Sequence, residues 1–362
     1  MALSEAQVQS ALKELIDPNT GKDFVAGRSV RSVKVSGADI AVDIELGYPG
    51  KSQFETIRKQ VQGKLRALPG VGAVSVSVAS KVVSHAVQRG VKLVPGIKNI
   101  IAVASGKGGV GKSTTAVNLA LALAAEGASV GILDADIYGP SQPTMLGIAG
   151  RPESKDGKSL EPMEGHGLQA ISIGFLIDVD TPMVWRGPMV TQALEQLLKE
   201  TRWRELDYLV VDLPPGTGDI QLTLAQKVPV TGAVIVTTPQ EIALLDARKG
   251  LKMFEKVGIP ILGLVENMST HICSKCGHEE HIFGAGGAER MAKDYGVDLL
   301  GSLPLDIAIR EQADSGKPTV VADPDGRIAE IYRAIARRCA VKIAESQKDL
   351  TSKFPNIVVQ NT

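Results

Sequence analysis

The fold of this chain is decided by the stretch Gly106-Lys107-Gly108-Gly109-Val110-Gly111-Lys112-Ser113. It follows an apolar run and leads through Thr114 into a helical pattern, which is the strand–loop–helix order of a phosphate-binding loop. The glycines let successive backbone N–H groups curl around an anion, and the helix N-terminus adds positive potential. Lys112 is expected to reach the β- and γ-phosphates, while the Ser113 hydroxyl can ligate Mg²⁺. We therefore predict that the residues from Gly106 to Thr114 bind a nucleoside triphosphate.

Around this loop, apolar strand patterns alternate with helical patterns. The candidate strands are 100–104, 129–133, 168–173, 208–211, 233–236, 261–265 and 299–303, with helical patterns at 189–199 and 242–257 among them. Continuous apolar strands flanked by helices predict an α/β fold, a P-loop NTPase with a mostly parallel sheet covered by helices on both faces. In such sheets the ligand binds at the carboxyl ends of the strands.

The chain divides into four parts. Residues 1–80 form a small α+β domain, and 81–98, which are less periodic and contain glycine and proline, are expected to be a linker. Residues 99–345 form the ATPase domain. A polar tail occupies 346–362.

The small domain has the pattern α-β-β-α-β. Ser4 with Gln7, and Ser52 with Glu55, have the spacing of capping boxes, so each pair is expected to begin a helix. The apolar face of the first helix is expected to extend as far as Ile16.

Composition limits the possible partners. Lys+Arg and Asp+Glu both number 40, which gives zero net charge and predicts no general attraction to nucleic acid or to an anionic membrane. The first residues lack the basic and apolar regions of a signal peptide, and no apolar run approaches the ~18 residues of a membrane span. With 3 cysteines, a disulfide framework is not expected. A soluble, cytoplasmic protein is predicted.

Polar residues follow the candidate strands where a ligand is expected. Asp134 and Asp136 come after 129–133, where carboxylates can hold Mg²⁺-bound water or orient an attacking water. Asp212 follows 208–211 and has the place of a Walker B carboxylate that grips Mg²⁺ through water. Gly216 can bring its backbone N–H to the γ-phosphate, which makes this loop a candidate nucleotide switch.

A second motif, Cys273-x-x-Cys276, lets two thiolates converge on one metal centre. One interpretation is half of a structural zinc site, completed by His278 and His281. The other interpretation is half of an iron–sulfur site.

The number of available cysteines bears on the choice between zinc and an iron–sulfur cluster. A [4Fe–4S] cluster normally needs about four thiolates. The remaining cysteine, Cys339, shares one helical face with several isoleucines, which predicts a buried core position. One chain then offers Cys273 and Cys276, and two chains together offer the full set.

The loop has a "deviant" form because of its second lysine, Lys107, and so resembles the family that includes MinD, ParA and the nitrogenase iron protein. There the extra lysine crosses a dimer interface to the partner's nucleotide. The resemblance implies a homodimer, catalytic roles for Lys107 and Lys112, and an action of Asp136 on the hydrolytic water. It also implies that Asn267 hydrogen-bonds the purine. The chain lacks the Asn/Thr-Lys-x-Asp guanine signature, so ATP is favoured over GTP.

Four stretches together resemble the Mrp/ApbC iron–sulfur carrier ATPases, and the likeness covers 1–345. They are 107–113, 212–217, 266–268 and the cysteine motif at 273–276. The first domain resembles a module of iron–sulfur assembly proteins, but the cysteine that some relatives carry near Gly47 to Lys51 is missing here, so a docking or regulatory role is expected. Arg186 lies in a stretch that recurs in the family, and its chemical role is not assigned.

The sequence thus predicts a homodimeric ATPase that holds a labile [4Fe–4S] cluster between two Cys273/Cys276 pairs. Its cofactors would be ATP, Mg²⁺ and the cluster, and its partners would be apo iron–sulfur proteins and cluster-assembly proteins. Two alternatives remain open: a positioning ATPase like MinD or ParA, and a nucleotide-switched scaffold with a structural zinc.

Overall fold

The structure is a computed structural model that describes residues 3–87, 91–177, 187–273 and 275–346. Arg186 and nearly all of the tail named above lie outside the described residues. In the described part, no helix is both long enough and apolar enough to cross a membrane.

The N-terminal module, residues 3–80, has the element order that the sequence predicts. Its elements are α1 (Glu5–Leu12), β1 (Val30–Ser36), β2 (Asp39–Leu46), α2 (Phe54–Arg66) and β3 (Val74–Ser80). Strand β2 is central, antiparallel to β1 and parallel to β3. The alternating apolar side chains of β2 and β3 are buried and pack on the two helices.

The first helix begins as predicted but ends earlier. The capping box at Ser4 and Gln7 is present. The helix stops at Leu12, and Ile16 is 54% exposed instead of lying on a helical face. A helix could not continue past Asp17 in any case, because a residue before proline is disfavoured in the helical region and Pro18 follows. Asp17 also accepts a hydrogen bond from the Asn19 backbone N–H, at 2.9 Å, in a local turn.

The second predicted capping box, Ser52 with Glu55, is wrong. Helix α2 begins at Phe54 after a short 3₁₀ turn, and its N-cap residue Gln53 makes no side-chain cap. Ser52 instead donates both its backbone N–H (3.0 Å) and its hydroxyl (2.7 Å) to the carboxylate of Glu126, which follows a helix of the large domain. A long-range contact to a buried charge has replaced the local one.

The large domain contains an eight-stranded sheet. Its strands are β4 (Ile97–Ala104), β5 (Val130–Asp134), β6 (Met163–Gly165), β7 (Leu168–Ser172), β8 (Leu206–Asp212), β9 (Gly232–Thr237), β10 (Ile261–Glu266) and β13 (Leu299–Ser302). Their spatial order is β13-β10-β9-β4-β8-β5-β7-β6, and all neighbouring pairs are parallel except β6 with β7. The α/β fold with a mostly parallel sheet is confirmed.

Helices cover both faces of this sheet, and a small hairpin extends from its edge. The helices are α3 (Lys112–Ala125), α4 (Gln142–Leu146), α5 (Gly187–Glu200), α6 (Asp219–Lys227), α7 (Glu241–Lys256), α8 (Gly287–Tyr295), α9 (Ile307–Asp314), α10 (Thr319–Ala322) and α11 (Arg327–Glu345), and the hairpin pairs β11 (His271–Ile272) with β12 (Glu279–Glu280). Helices α3 and α11 pack on one face, and α5, α7 and α8 pack on the other. Cys339 of α11 is fully buried, as its spacing predicts.

The N-terminal module packs against the ends of α3 and α11. The backbone N–H of Lys51 donates to the carbonyl of Glu126 at 3.1 Å, and Lys22 pairs with Glu345 at 2.6 Å. Arg337 of α11 reaches the same Glu126 carboxylate at 2.5 Å. The stretch from Gly47 to Lys51, where some related modules carry a cysteine, therefore lies at this contact.

Candidate functional site

The phosphate-binding loop connects β4 to α3 at the carboxyl edge of the sheet. Gly109 and Gly111 have φ values of 81° and 84°, which favour glycine. Gly106 is required for a different reason, because a Cβ there would lie 2.1 Å from the backbone carbonyl carbon of Asp246 in α7. The loop is thus held against α7 by a contact that leaves no room for a side chain.

Lys112 lies at the centre of a buried polar cluster. Its ammonium group is 2.6 Å from Asp212 Oδ1, 3.0 Å from Ser113 Oγ and 3.8 Å from Asp136 Oδ2. Asp212 is fully buried at the end of β8, next to β4 and β5, so the parallel topology brings these groups together. The cluster combines a cation for phosphate with the hard oxygen ligands that Mg²⁺ prefers.

Asp134 and Asp136 have different surroundings. Asp134 accepts hydrogen bonds from the backbone N–H of Asp136 (3.1 Å) and the hydroxyl of Ser172 (3.0 Å), so it supports the loop after β5. Burial and the nearby Asp212 carboxylate raise the pKa of Asp134 to about 7. Burial also raises the pKa of Asp136, which the charge of Lys112 opposes. Asp136 therefore presents its carboxylate to the Lys112 cluster.

The sequence analysis missed Gln142. Its amide Nε2 donates to Asp212 Oδ2 at 2.8 Å and to the Ser113 carbonyl at 3.1 Å, and the residue is only 1% exposed. A glutamine eight positions beyond the end of β5 belongs to no recognisable sequence motif. Its position at the start of a helix, shortly after the acidic pair, was the only available signal.

The loop after β8 is joined to the phosphate-binding loop by backbone contacts. Gly216, with φ 101°, donates its N–H to the carbonyl of Ser105 at 2.9 Å. The Ser105 hydroxyl in turn donates to the carbonyl of Lys107 at 2.9 Å. Lys107 itself is exposed at the front of the loop. A change in the conformation of one loop is therefore expected to move the other.

Asn267 connects the phosphate-binding loop to the cysteine motif. Its side-chain Nδ2 donates to the carbonyl of Val110 at 2.9 Å. The next residue, Met268, has a φ of 57°, a left-handed conformation that is uncommon outside glycine. The chain then enters β11 and reaches Cys273 six residues after Asn267.

Cys273 and Cys276 lie at the tip of the β11–β12 hairpin. The hairpin is closed by hydrogen bonds from the Cys273 N–H to the His278 carbonyl (2.9 Å) and from the Gly277 N–H to the Cys273 carbonyl (2.8 Å). Cys276 is exposed and Cys273 partly so. Hydrogen bonds from the backbone N–H groups of Lys275 and Cys276 lower the pKa of Cys273, which favours a thiolate that can bind metal.

Two histidines near the motif, His271 and His281, are engaged elsewhere through one ring nitrogen. His281 Nδ1 lies 2.9 Å from the Ser269 carbonyl, and His271 Nδ1 lies 3.1 Å from the Leu305 carbonyl. Among the described residues, no three side chains of His, Cys, Asp or Glu are grouped closely enough to hold a metal ion. The hairpin offers two thiolates.

The chain is similar to known iron–sulfur proteins over almost its whole length. It matches the family model of the NUBPL iron-transfer P-loop NTPases over residues 96–340, and that of the iron–sulfur cluster assembly proteins over residues 5–78. The iron–sulfur cluster carrier protein of Pseudomonas fragi is 62% identical over 278 residues, covering 76% of this chain and 97% of that protein. The one from Escherichia coli K12 is 52% identical, covering 93% of this chain and 92% of that protein.

A solved structure gives the same result for the fold. The nucleotide-binding protein from Archaeoglobus fulgidus, in complex with ADP, is 38% identical with a TM-score of 0.56. The match covers 64% of this chain and 90% of that chain.

Proposed function

Because the chain belongs to the family of NUBPL iron-transfer P-loop NTPases, we propose that it is an ATP-hydrolysing carrier that binds a labile [4Fe–4S] cluster and transfers it to apo-proteins. The observation that carries this proposal is the hairpin that presents Cys273 and Cys276 at the protein surface. Surface thiolates suit a cluster that must be released, whereas a resident cluster is usually enclosed.

We place the cluster between two copies of the chain. Each copy supplies Cys273 and Cys276, whereas Cys339 is buried in the core. Because a [4Fe–4S] cluster needs about four thiolates, two chains are required. Large apolar side chains also stand exposed beyond the carboxyl ends of the strands, where the loop and hairpin lie. They are Tyr138 (60%), Ile242 (64%), Leu245 (47%) and Ile282 (52%). Association of two copies at this edge would bury such side chains, which agrees with a homodimer.

The Lys112 cluster supports ATP hydrolysis. Lys112 and the backbone N–H groups of the loop would hold the β- and γ-phosphates, and Lys107 would reach the partner's nucleotide. A water oriented by Asp136 would attack the γ-phosphorus, and the bond from phosphorus to the β–γ bridging oxygen would break. ADP would leave with that oxygen, while one proton of the water would stay on the inorganic phosphate and the other would be released to solvent. Asn267 would read the adenine edge, since an amide has both a donor and an acceptor.

The residues also fit a magnesium ion. The Ser113 hydroxyl and the Asp212 carboxylate are hard oxygen ligands, and the buried Gln142 Oε1 accepts no hydrogen bond from the described residues. When bound, Mg²⁺ supplies positive charge that stabilises the phosphates during transfer.

Nucleotide binding and cluster binding can be linked through Asn267. This side chain contacts the carbonyl of Val110 in the loop, and the left-handed Met268 leads directly into the hairpin. If Asn267 leaves Val110 to bind a base, the start of β11 must adjust. The grip of Cys273 and Cys276 on the cluster would then depend on the nucleotide state.

Metal analysis of anaerobically purified protein tests this function. Iron with equivalent acid-labile sulfide, lost in Cys273→Ala and in Cys276→Ala, is the expected result. Cys339→Ala is the matched control and should keep its iron, because that thiol is buried in the core. One tightly held zinc per chain would instead identify a nucleotide-switched scaffold. The cytoplasmic location stays a prediction.

A further inference from the structure

The side-chain amide of Gln142 has a fixed orientation. Its two partners, the Asp212 carboxylate and the Ser113 carbonyl, are both hydrogen-bond acceptors. Only the NH₂ group can therefore face them, and both of its hydrogens are used. Turning the amide over would place Oε1 against two other oxygens, so the chemistry of the two partners fixes the orientation.

This orientation leaves the Gln142 oxygen buried without a donor. Within the described parts of the chain, no group donates a hydrogen bond to Oε1, and the same holds for the hydroxyl of the preceding Ser141. A buried acceptor without a partner is unfavourable. Because the amide that carries Oε1 is bonded to Asp212 and to the Ser113 carbonyl, the unpaired oxygen indicates that a donor belongs next to these groups.

Gln142 also ties together the groups that would surround Mg²⁺. Its backbone N–H donates to Asp134 Oδ2 at 3.1 Å, and its side chain holds Asp212 Oδ2 and the Ser113 backbone. Asp212 Oδ1 is meanwhile bonded to Lys112. If Lys112 turns to the phosphates, the hydrogen bond from Gln142 keeps Asp212 in place, and Oδ1 of Asp212 becomes available to Mg²⁺ or to its bound water.

The required donor has a specific chemistry. Mg²⁺ usually keeps several waters of its octahedral shell, and a metal-bound water turns its hydrogens outward as donors. Oε1 of Gln142, which has no donor among the described residues, can accept this kind of hydrogen bond, and Oδ1 of Asp212 can do so once Lys112 has left it.

We propose that Gln142 is a positioning residue of the magnesium site, which fixes Asp212 through its NH₂ group and accepts a hydrogen bond from a magnesium-bound water through Oε1. The proposal rests on the proposed nucleotide function. It goes further by assigning a residue that contacts neither the phosphates nor the metal, yet sets how strongly Mg²⁺ supports nucleotide binding.

The test measures the affinity for a fluorescent ADP analogue with and without Mg²⁺, in the full chain and in Gln142→Leu. We expect the affinity without Mg²⁺ to stay within about twofold. The Mg²⁺ concentration that half-maximally strengthens binding should rise at least about tenfold. Gln169→Leu, on β7, is the matched control, because it removes a half-buried amide that bonds to the backbone of Arg204 and to no group of the Lys112 cluster, with no change expected in either quantity.

The two readouts separate positioning from a general structural role. A folding defect would weaken binding equally with and without Mg²⁺, and that result would overturn the proposal, as would an unchanged Mg²⁺ dependence. Gln142→Met, which has similar length and adapts its shape, replaces the leucine variant if that variant melts early. If the unmodified chain bound no nucleotide at all, the proposed function would fail together with this inference, whereas normal binding with an unchanged Gln142→Leu variant would remove the inference alone.

Discussion

Replacing Arg337 by methionine tests a buried ion pair between the end of α3 and α11 of the large domain, at the place where Ser52 of the N-terminal module is bound. The Arg337 guanidinium meets Glu126 Oε1 at 2.5 Å, with side chains that are 7% and 0% exposed. Ser52 of the module donates two hydrogen bonds to the same carboxylate. Methionine keeps the apolar stem of Arg337 and removes its charge, so Glu126 stays buried without a cation.

The expected loss of unfolding free energy is about 3 kcal/mol. Breaking a buried ion pair by removing one partner costs about 3–5 kcal/mol, because the other charge is left uncompensated. The lower end applies here since Ser52 continues to donate to Glu126. The second partner of Arg337, Glu330, is half exposed, and its release into water should add little.

Urea unfolding followed by circular dichroism measures this loss. Arg310→Met is the matched control, because it breaks an exposed pair with Asp314 and should cost under about 1 kcal/mol. Adding Glu126→Gln to Arg337→Met should recover part of the loss, since a neutral amide needs no counter-charge. If Arg337→Met cost no more than Arg310→Met, the buried pair would not stabilise the fold, and the expected loss would be refuted.

Three further outcomes are expected. Without nucleotide, Gly106→Ala should lower the free energy of unfolding by about 1–3 kcal/mol, because the added Cβ meets the backbone of α7. Gly108→Ala is the control and should cause no such loss, since the atom nearest to its Cβ would be 4.0 Å away. Equal melting temperatures for the two variants would contradict this prediction. Asp136→Ala should bind ATP and lose turnover, and hydrolysis within about threefold of the unmodified rate would remove its catalytic role. Burial raises the pKa of Cys339 to about 12, so iodoacetamide at pH 8 should label the exposed Cys276 and leave Cys339 unlabelled, as measured by mass spectrometry. A labelled Cys339 in folded protein would contradict the buried position of this side chain.

The parallel sheet could be predicted from the sequence because its signal is local. Runs such as 208–211 are continuously apolar, since strands covered on both faces have no solvent side. The same locality places Asp212 and the phosphate-binding loop at the carboxyl ends of neighbouring strands. Once the strands are known, a parallel sheet places the residues that follow neighbouring strands at the same edge, where they can contact one another.

Other parts of the fold and of the site depend on contacts that no local pattern encodes. Ser52 and Glu55 have the spacing of a capping box, yet Ser52 bonds to Glu126, 74 positions away. Gln142 meets Asp212 across 70 positions. In both cases a buried charge needs more donors than its own segment provides, and the partner comes from wherever the fold brings a polar side chain.

Native mass spectrometry of the anaerobically reconstituted protein can show whether two chains share one cluster. About four irons and four sulfides should appear on the dimer and on no monomer. Cys273→Ala should abolish this species, and Cys339→Ala should leave it intact. A monomer carrying a complete cluster, or loss of the cluster in Cys339→Ala alone, would contradict a cluster shared by two chains.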